Sequence, residues 1–470
     1  VTTSFSPRTL PPVRSVSGSD VRDASVGGRR VVVLDDDPTG TQTVRDLPVL
    51  TTWAVDDIRW ALQQNTPGFF VLTNSRSLDP SEAAQLNEEI VRASLEAAAH
   101  ENVDLAFASR SDSTLRGHFP LETDVIGRVV ADAGKAIDGV LLSPAYIDVG
   151  RYTIDGTHVV TSADGLIPVA DTEFARDATF GYSSSRLRDW AVEKSQGAIS
   201  AEDVLELGID EIRSGTTESI ASRVAEARNG QIVVLDAVTD DDLRAVSLAV
   251  VAAEKAGSSF VYRIGPSFVR ARVGQEAAQP IDDATLESLV SRDTHGLIVV
   301  GSHVGLTSRQ LAALSDRREL VRVELDVEAV LDPTRNTAHL DATVADAAAA
   351  LKDSLVVVST SRTLVTGADR DASLDIARTV SAALSHVVNR VVELNRPSYV
   401  IAKGGITSAD TATKGLGITR SWIRGSLLPG IVSLWEPVGG NAAGLPYIVF
   451  AGNVGDDNSL ADVVDRLELS

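Results

Sequence analysis

Arg29-Arg30-Val31-Val32-Val33-Leu34-Asp35-Asp36-Asp37-Pro38-Thr39-Gly40-Thr41-Gln42-Thr43 is an apolar, largely β-branched run that stops abruptly at three carboxylates and a Pro/Gly turn. A run of that length bounded by such a turn is a strand, with Val31–Leu34 as its core. Outward from it, short apolar runs alternate with longer amphipathic stretches, the pattern of strands and helices around a mostly parallel sheet. The further strands expected are Phe69–Leu72, Leu105–Ala108, Gly139–Leu142, Ile232–Leu235 and Phe260–Ile264, then Gly296–Val300, Val321–Leu325, Leu355–Val358, Tyr399–Ala402, Val432–Trp435 and Ile448–Phe450. Apolar residues at i, i+3, i+4 predict helices over Ser81–Ala99, Glu218–Arg228, Asp241–Lys255, Asp341–Leu351 and Leu374–Val387.

The fold class expected is therefore α/β, with two domains that are each a mostly parallel sheet flanked by helices and a cleft between them. Residues 1–28, rich in Ser, Pro, Arg and Gly, read as a flexible tail. Residues 29–275 form the first domain and 285–470 the second, with the polar stretch Gly274–Asp283 between them. The segment Arg151–Gly215 is less regular and reads as a connection with a local function.

The chain has 470 residues, 43% of them hydrophobic, which suits more than one folded core and argues against disorder. A net charge of −22 repels nucleic acid and anionic lipid alike. No run approaches a membrane span, no signal peptide is evident, and a cytoplasmic protein is expected. The absence of Cys excludes disulfides, thiolate metal sites and a thiol nucleophile. Met is absent too, even at position 1, which is improbable at this length, and we expect Met positions to have been lost from the sequence.

In an open α/β sheet the residues just after each strand are where ligands bind. Three consecutive carboxylates at Asp35, Asp36 and Asp37 repel one another unless a cation, an Arg or a transferred proton compensates them; the bland alternative is a solvated turn. The second strand ends in Thr73-Asn74-Ser75-Arg76-Ser77, and the third in Ser109-Arg110-Ser111-Asp112-Ser113-Thr114-Leu115-Arg116-Gly117-His118. Guanidinium forks, hydroxyls and a carboxylate at such close range suit a small hydroxylated anion. In the second half the strand ends are Gly301-Ser302-His303, Ser359-Thr360-Ser361, Lys403-Gly404-Gly405-Ile406-Thr407-Ser408 and Gly452-Asn453-Val454-Gly455. Glycines at a strand-to-helix junction let backbone N–H groups approach phosphate oxygens, so several together point to a nucleotide, although no Walker A or GxGxxG pattern occurs. His118 and His303 read as hydrogen-bonding loop residues, and Trp53 and Trp60 as core.

The ordered set DDDPTGTQT, TNSR, SRSDSTLRG, Gly150-Arg151, TEFARDATF, Gly301-Ser302, KGGITSAD and AGNVGDD resembles the four-carbon acid sugar kinases, from about Arg29 to Leu467. The resemblance implies an N-terminal domain for the acid sugar and a C-terminal domain for ATP with Mg2+. Carried onto this chain, the substrate falls to Asp36, Asp37, Arg76, Arg110, Ser111, Asp112, Ser113, Thr114 and Arg116. The nucleotide falls to Ser302, Gly404, Gly405, Ile406, Thr407, Gly452 and Asn453, and no residue is assigned as a metal ligand. The family's Asp-Asp-Leu-Thr-Gly-Ala pattern is here Asp36-Asp37-Pro38-Thr39-Gly40-Thr41, its third-loop Lys is Arg110, and its second Ser after the Gly-Ser pair is Val304.

The expected activity is ATP-dependent phosphorylation of a hydroxyl of threonate, erythronate or a related aldonic or keto acid. Asp37 is the first candidate for the base or hydroxyl-orienting carboxylate and Asp112 the second. Arg76, Arg110 and Arg116 are expected to form a local basic pocket, and the acidic excess to be spread over the surface. The expected partners are the acid sugar and ATP, with no nucleic acid or membrane; a homo-oligomer stays open. Two rival readings are a haloacid-dehalogenase-like phosphatase, suggested by Asp35-x-Asp37-x-Thr39 and Gly455-Asp456-Asp457, and a non-catalytic acid-metabolite sensor.

Overall fold

A computed structural model describes residues 5, 7–163, 165–277, 279–361, 365 and 370–469. The chain divides into two compact units, Val1–Ala278 and Gln279–Ser470. Both are α/β.

The strands of the first unit are β1 (Arg30–Asp35), β2 (Leu47–Leu50), β3 (Gly68–Leu72), β4 (Leu105–Arg110), β5 (Gly139–Ser143), β6 (Arg151–Ile154), β7 (Thr157–Ser162), β8 (Gly165–Pro168), β9 (Leu205–Leu207), β10 (Gln231–Leu235) and β11 (Phe260–Ile264). Its main sheet has the order β2-β3-β1-β4-β11-β5-β10-β9, and neighbours run parallel. The central strands are buried along their length, as strands covered by helices on both faces must be. Val32, Phe69, Phe107 and Val261 meet helix residues such as Ile90, Ile126 and Val129 in one core, with Trp53 and Trp60 packed against it.

The strands of the second unit are β12 (Leu297–Val300), β13 (Val321–Leu325), β14 (Val356–Thr360), β15 (Val400–Lys403), β16 (Arg420–Leu428), β17 (Val432–Pro437) and β18 (Tyr447–Phe450). They follow the order β13-β14-β12-β15-β18-β17-β16, parallel from β13 to β18 and antiparallel beyond. Ile298, Val357, Ile401 and Ile448 anchor a separate core.

Each apolar run expected to be a strand is one. The expected helices are found at Pro80–Glu101, Thr217–Val224, Asp240–Lys255, Asn336–Ala350 and Arg370–Leu394. Three differences stand out. Within the expected tail, Gly18–Ser25 is a helix whose Ser17 cap accepts from Asp20 N while the Asp20 carboxylate accepts from Ser17 N. Such a cap contributes about 1 kcal/mol, and the helix is tied down where Gly18 N donates to Glu276 and the Arg22 guanidinium to Gly274 O. Segment 151–168, expected to be irregular, is the antiparallel sheet β6-β7-β8. Its first hairpin turns at Asp155-Gly156, both with positive φ, 51° and 72°, the two-residue turn that matches strand twist. Strands β2, β9 and β16 were also unanticipated.

Candidate functional site

From β1 the chain moves outward to β2 and β3, whereas β4 leads to the other side of the sheet, so the strand order reverses between β1 and β4. Ligands in open α/β sheets bind outside the carboxyl ends at such a reversal. Asp35–Asp37 and Arg110–Thr114 lie at those two ends, and Asn74, with φ of 50°, turns the neighbouring β3 end so that Arg76 faces them.

There the acids and guanidiniums engage one another. Arg76 grips Asp36 with two bonds, Nη2–Oδ1 at 2.7 Å and Nε–Oδ2 at 3.0 Å, and reaches Asp37 Oδ2 at 3.2 Å. Arg110 pairs with Asp35, donates to Asp37 O at 2.7 Å and lies 4.0 Å from Asp36. Arg116 Nε donates to Asp112 Oδ2 at 2.7 Å, with Thr114 Oγ1 on the same oxygen, and stands 3.7 Å from Asp177. The basic pocket expected from Arg76, Arg110 and Arg116 is therefore a set of ion pairs. Ser111 is buried with its N–H on Ile264 O, and Ser113 Oγ accepts from Arg151 Nη1 at 2.5 Å.

The environment separates the acids. Burial pushes Asp35 up to about 7, against the Arg110 charge. Burial raises Asp36 as well, only partly offset by Arg76. For Asp37 burial acts upward, but Arg76, Arg110 and the Thr39 bonds outweigh it and hold the group below the ordinary carboxylate range. Asp112 lies far below that range: Arg76 and Arg116 overcome its burial. Asp37 side chain is 25% exposed, while Asp35 and Asp36 are at 1% and 2%. Of the three consecutive carboxylates Asp37 is the one solvent reaches.

A second layer fixes these loops. Glu122 accepts from Ser75 Oγ at 2.6 Å, Ser109 Oγ at 2.7 Å and Arg263 Nη1 at 2.6 Å, which ties the β3 and β4 ends together inside the core. His118 Nε2 bonds Ser75 O and Leu78 O, the loop role expected of it. The β6-β7-β8 sheet reaches the same loop through His158 Nε2 to Ser113 O at 2.8 Å, and Tyr182 Oη donates to Thr114 O at 2.7 Å. Burial lowers His158 to about 4, so it stays neutral. Glu122, Arg263 and Arg151 were not foreseen as site residues. A charged residue inside the apolar run Phe260–Ile264 was the available signal for Arg263.

The second unit reverses its strand order between β12 and β15. Gly301-Ser302 follows β12, Gly404-Gly405 follows β15, and Gly452-Asn453 follows β18 beside it. These turns touch. Thr307 Oγ1 donates to Gly452 O at 3.0 Å and lies 3.2 Å from Ser302 Oγ. A Cβ on Gly301 would run into Thr407 Oγ1, and one on Gly452 would lie 2.6 Å from Ser302 Oγ. Gly404, at φ 126°, has a conformation L side chains rarely adopt, and it starts the helix Gly405–Asp410. Thr407 is buried, Ile406 is 58% exposed and Asn453 is exposed. Beneath this cradle lies Lys403, fully buried, its Nζ donating to Ala451 O at 2.6 Å and 3.6 Å from the Phe450 ring centre. Burial alone lowers it to about 7.

Residues 31–272 match the family of the sugar-binding N-terminal domain, and residues 297–460 that of the nucleotide-binding C-terminal domain. Those two domains in one chain define a phosphotransferase with an alcohol acceptor. The chain belongs to the four-carbon acid sugar kinase family. It is 25% identical over 417 residues to a D-erythronate kinase of Heliobacterium modesticaldum, covering 84% of this chain and 86% of that one. It is 26% identical over 448 residues to a D-threonate kinase of Bordetella bronchiseptica, covering 93% and 96%. Solved structures of a Salmonella typhimurium LT2 protein (TM-score 0.66) and a Haemophilus influenzae protein (TM-score 0.62) share the fold at 17% identity, each over 92% of this chain and 98% of the other.

Proposed function

We propose that the protein is an ATP-dependent kinase that phosphorylates a hydroxyl of a small acid sugar, threonate, erythronate or a related aldonic or keto acid. One observation carries this: each unit has a strand-order reversal, one lined by carboxylates and guanidiniums and the other by glycines and hydroxyls. The first chemistry suits a polyhydroxy acid and the second a polyphosphate. The names of the two kinase relatives support the same assignment.

For the nucleotide, the fit rests on Ser302, Gly404–Thr407, Gly452 and Asn453, with Lys403 as a buried amine whose lowered pKa has no acid contributing to it. The described residues hold no group of three His, Cys, Asp or Glu side chains able to cage a metal. Mg2+ would thus come with the phosphate oxygens, where it offsets the charge of the transferred group.

Phosphoryl transfer asks mainly for positioning and charge stabilisation. Asp37, the reachable carboxylate of its loop, is held by Thr39 N at 2.8 Å and by Arg76. It orients the acceptor hydroxyl, and its lowered pKa suits a hydrogen-bond acceptor more than a strong base. Asp112, saturated by Arg116 and Thr114, is the second choice. Asp35, the nucleophile of the phosphatase reading, is buried against Arg110, which disfavours that reading.

A coupled ADP-release screen over C4 to C6 aldonic and keto acids tests the proposal. ATP-dependent ADP formation with one of them is the expected result. Acid binding without ADP formation would turn the assignment to a sensor, and phosphate release from sugar phosphates without ATP to a phosphatase.

A further inference from the structure

Arg76, Arg110 and Arg116 each pair with acids of the protein itself. Arg151, at the start of β6, differs. Among the described residues it forms no ion pair; its Nη1 donates to Ser113 Oγ, and its buried Nε has no partner. Its guanidinium carbon lies 5.5 Å from the centre of the Phe174 ring, which Arg116 also approaches at 5.0 Å. Two cations thus approach one aromatic ring, beside the loop that carries Asp112 and Ser113. Burial lowers the Arg151 pKa, whereas it rises for Arg76 and Arg110. Arg151 is the cation of this cluster without an ion pair among the described residues, and the charge of Asp112 only partly offsets its burial.

His158 and Tyr182 fix the carbonyls of Ser113 and Thr114, and the tight turn at Asp155-Gly156 sets the register that places Arg151 opposite Val160. A planar fork with spare donors, desolvated on one side, takes a carboxylate well.

We propose that Arg151 anchors the carboxylate of the acid substrate and so sets the preference for an acid over a neutral polyol. This rests on the kinase assignment above. It moves carboxylate recognition away from Arg76 and Arg110, whose charges are already paired with Asp36 and Asp35, and leaves Asp37 and Ser113 for the hydroxyls.

The test compares wild type, Arg151→Gln and Arg151→Lys on D-erythronate, D-threonate and their uncharged amides, with ADP-induced thermal stabilisation as the control for folding. Loss of a charge-assisted contact raises KM for the acid roughly 10- to 100-fold in Arg151→Gln. The amide KM and the ADP response stay near wild type, so the acid preference collapses, and Arg151→Lys restores part of it. Equal losses on acid and amide, or an unchanged KM for the acid, would overturn the assignment. A wild-type protein that turns over neither compound would instead refute the kinase reading. Calorimetric titration of D-erythronate into wild type and Arg151→Gln would then still decide whether Arg151 binds the acid.

Discussion

The Asp35 carboxylate and the Arg110 guanidinium form an ion pair across the register of two adjacent parallel strands, with their side chains only 1% and 5% exposed. Burying two charges costs several kcal/mol per ion unless their remaining valences are filled. Arg110 also serves Asp37 O and lies near Asp36, yet Asp35 Oδ2 and Arg110 Nε have no partners. The shortfall appears as the upward shift of Asp35 to about 7. The native state therefore binds more protons than the unfolded chain between the ordinary carboxylate pKa and about 7, and Asp35 withdraws stability as pH rises through that window. This pair holds the acidic loop in shape, and the conformation is worth its cost only if the loop is used.

Gly40 packs directly on the pair, and a Cβ there would overlap the Arg110 guanidinium and the Asp35 carboxylate. Gly40→Ala is expected to destabilise the protein by about 1–3 kcal/mol, the usual penalty of overpacking. Turnover should fall as well, because Asp37 moves with the turn. Urea titration measures the first effect and the ADP-release assay the second. A wild-type midpoint would mean the loop yields and that the pair does not fix its shape.

Asp37→Asn separates orientation from folding. The amide keeps the shape and the Thr39 cap geometry, but it weakens the bond to Arg76 and the acceptor at the substrate hydroxyl. The expected loss in kcat is about 100-fold or more, as for a lost general base or orienting group, with the cooperative fold retained and a lowered thermal midpoint, because the ionised Asp37 stabilises the native state. Undiminished activity would sink the assignment and move attention to Asp112.

Much of this was legible in the chain itself. Apolar runs such as Val31–Leu34 and Ile298–Val300 mark strands buried on both faces, and the loops after them carry the chemistry because parallel sheets present their carboxyl ends together. Pairing was not legible. Arg76 and Arg110 read as ligand-binding forks, and only three dimensions assign them to Asp36 and Asp35. β6 and β7 were missed because a half-exposed strand such as Arg151-Tyr152-Thr153-Ile154 has no continuous apolar run, although Asp155-Gly156 announced the hairpin. Lys403 ends a strand in plain view, but its isolation from any acid depends on burial, which spacing does not encode.

Lys403 yields a prediction about pH. No titratable group lies on β12, Tyr447 of β18 donates to Ser408 O, and Asp410 of the following helix pairs with Lys414. The native state favours the neutral amine, so between about pH 7 and the ordinary 10.5 the unfolded chain binds more protons. Stability rises with pH across that window and is lowest below it. Lys403→Met removes a cost on the order of a few kcal/mol at pH 7, and its advantage shrinks toward pH 9. The same variant should bind ADP more weakly, since the phosphate charge favours the protonated amine and Lys403→Met has no such group to offer. Urea melts at pH 7 and 9 with ADP titrations check both; a pH-independent difference, or unchanged ADP affinity, would contradict this account of the lysine.

Gly452→Ala probes the cradle proposed for the nucleotide and leaves the loops proposed for the acid unchanged in sequence. A Cβ there would lie 2.6 Å from Ser302 Oγ, so the hydroxyl must turn away, and Thr307, which bonds both Ser302 and Gly452 O, must follow. Gly452 has an ordinary negative φ, unlike Gly404, so the alanine adds crowding without backbone strain. Losing one hydroxyl contact costs about 1 kcal/mol, and the displaced loop adds to it. ADP affinity should fall about tenfold while the KM for the acid sugar holds. Parallel ADP and acid titrations read the two separately. If both weaken together, the substitution has perturbed more than the loops of the second unit; if neither changes, Ser302 and Gly452 do not hold the nucleotide.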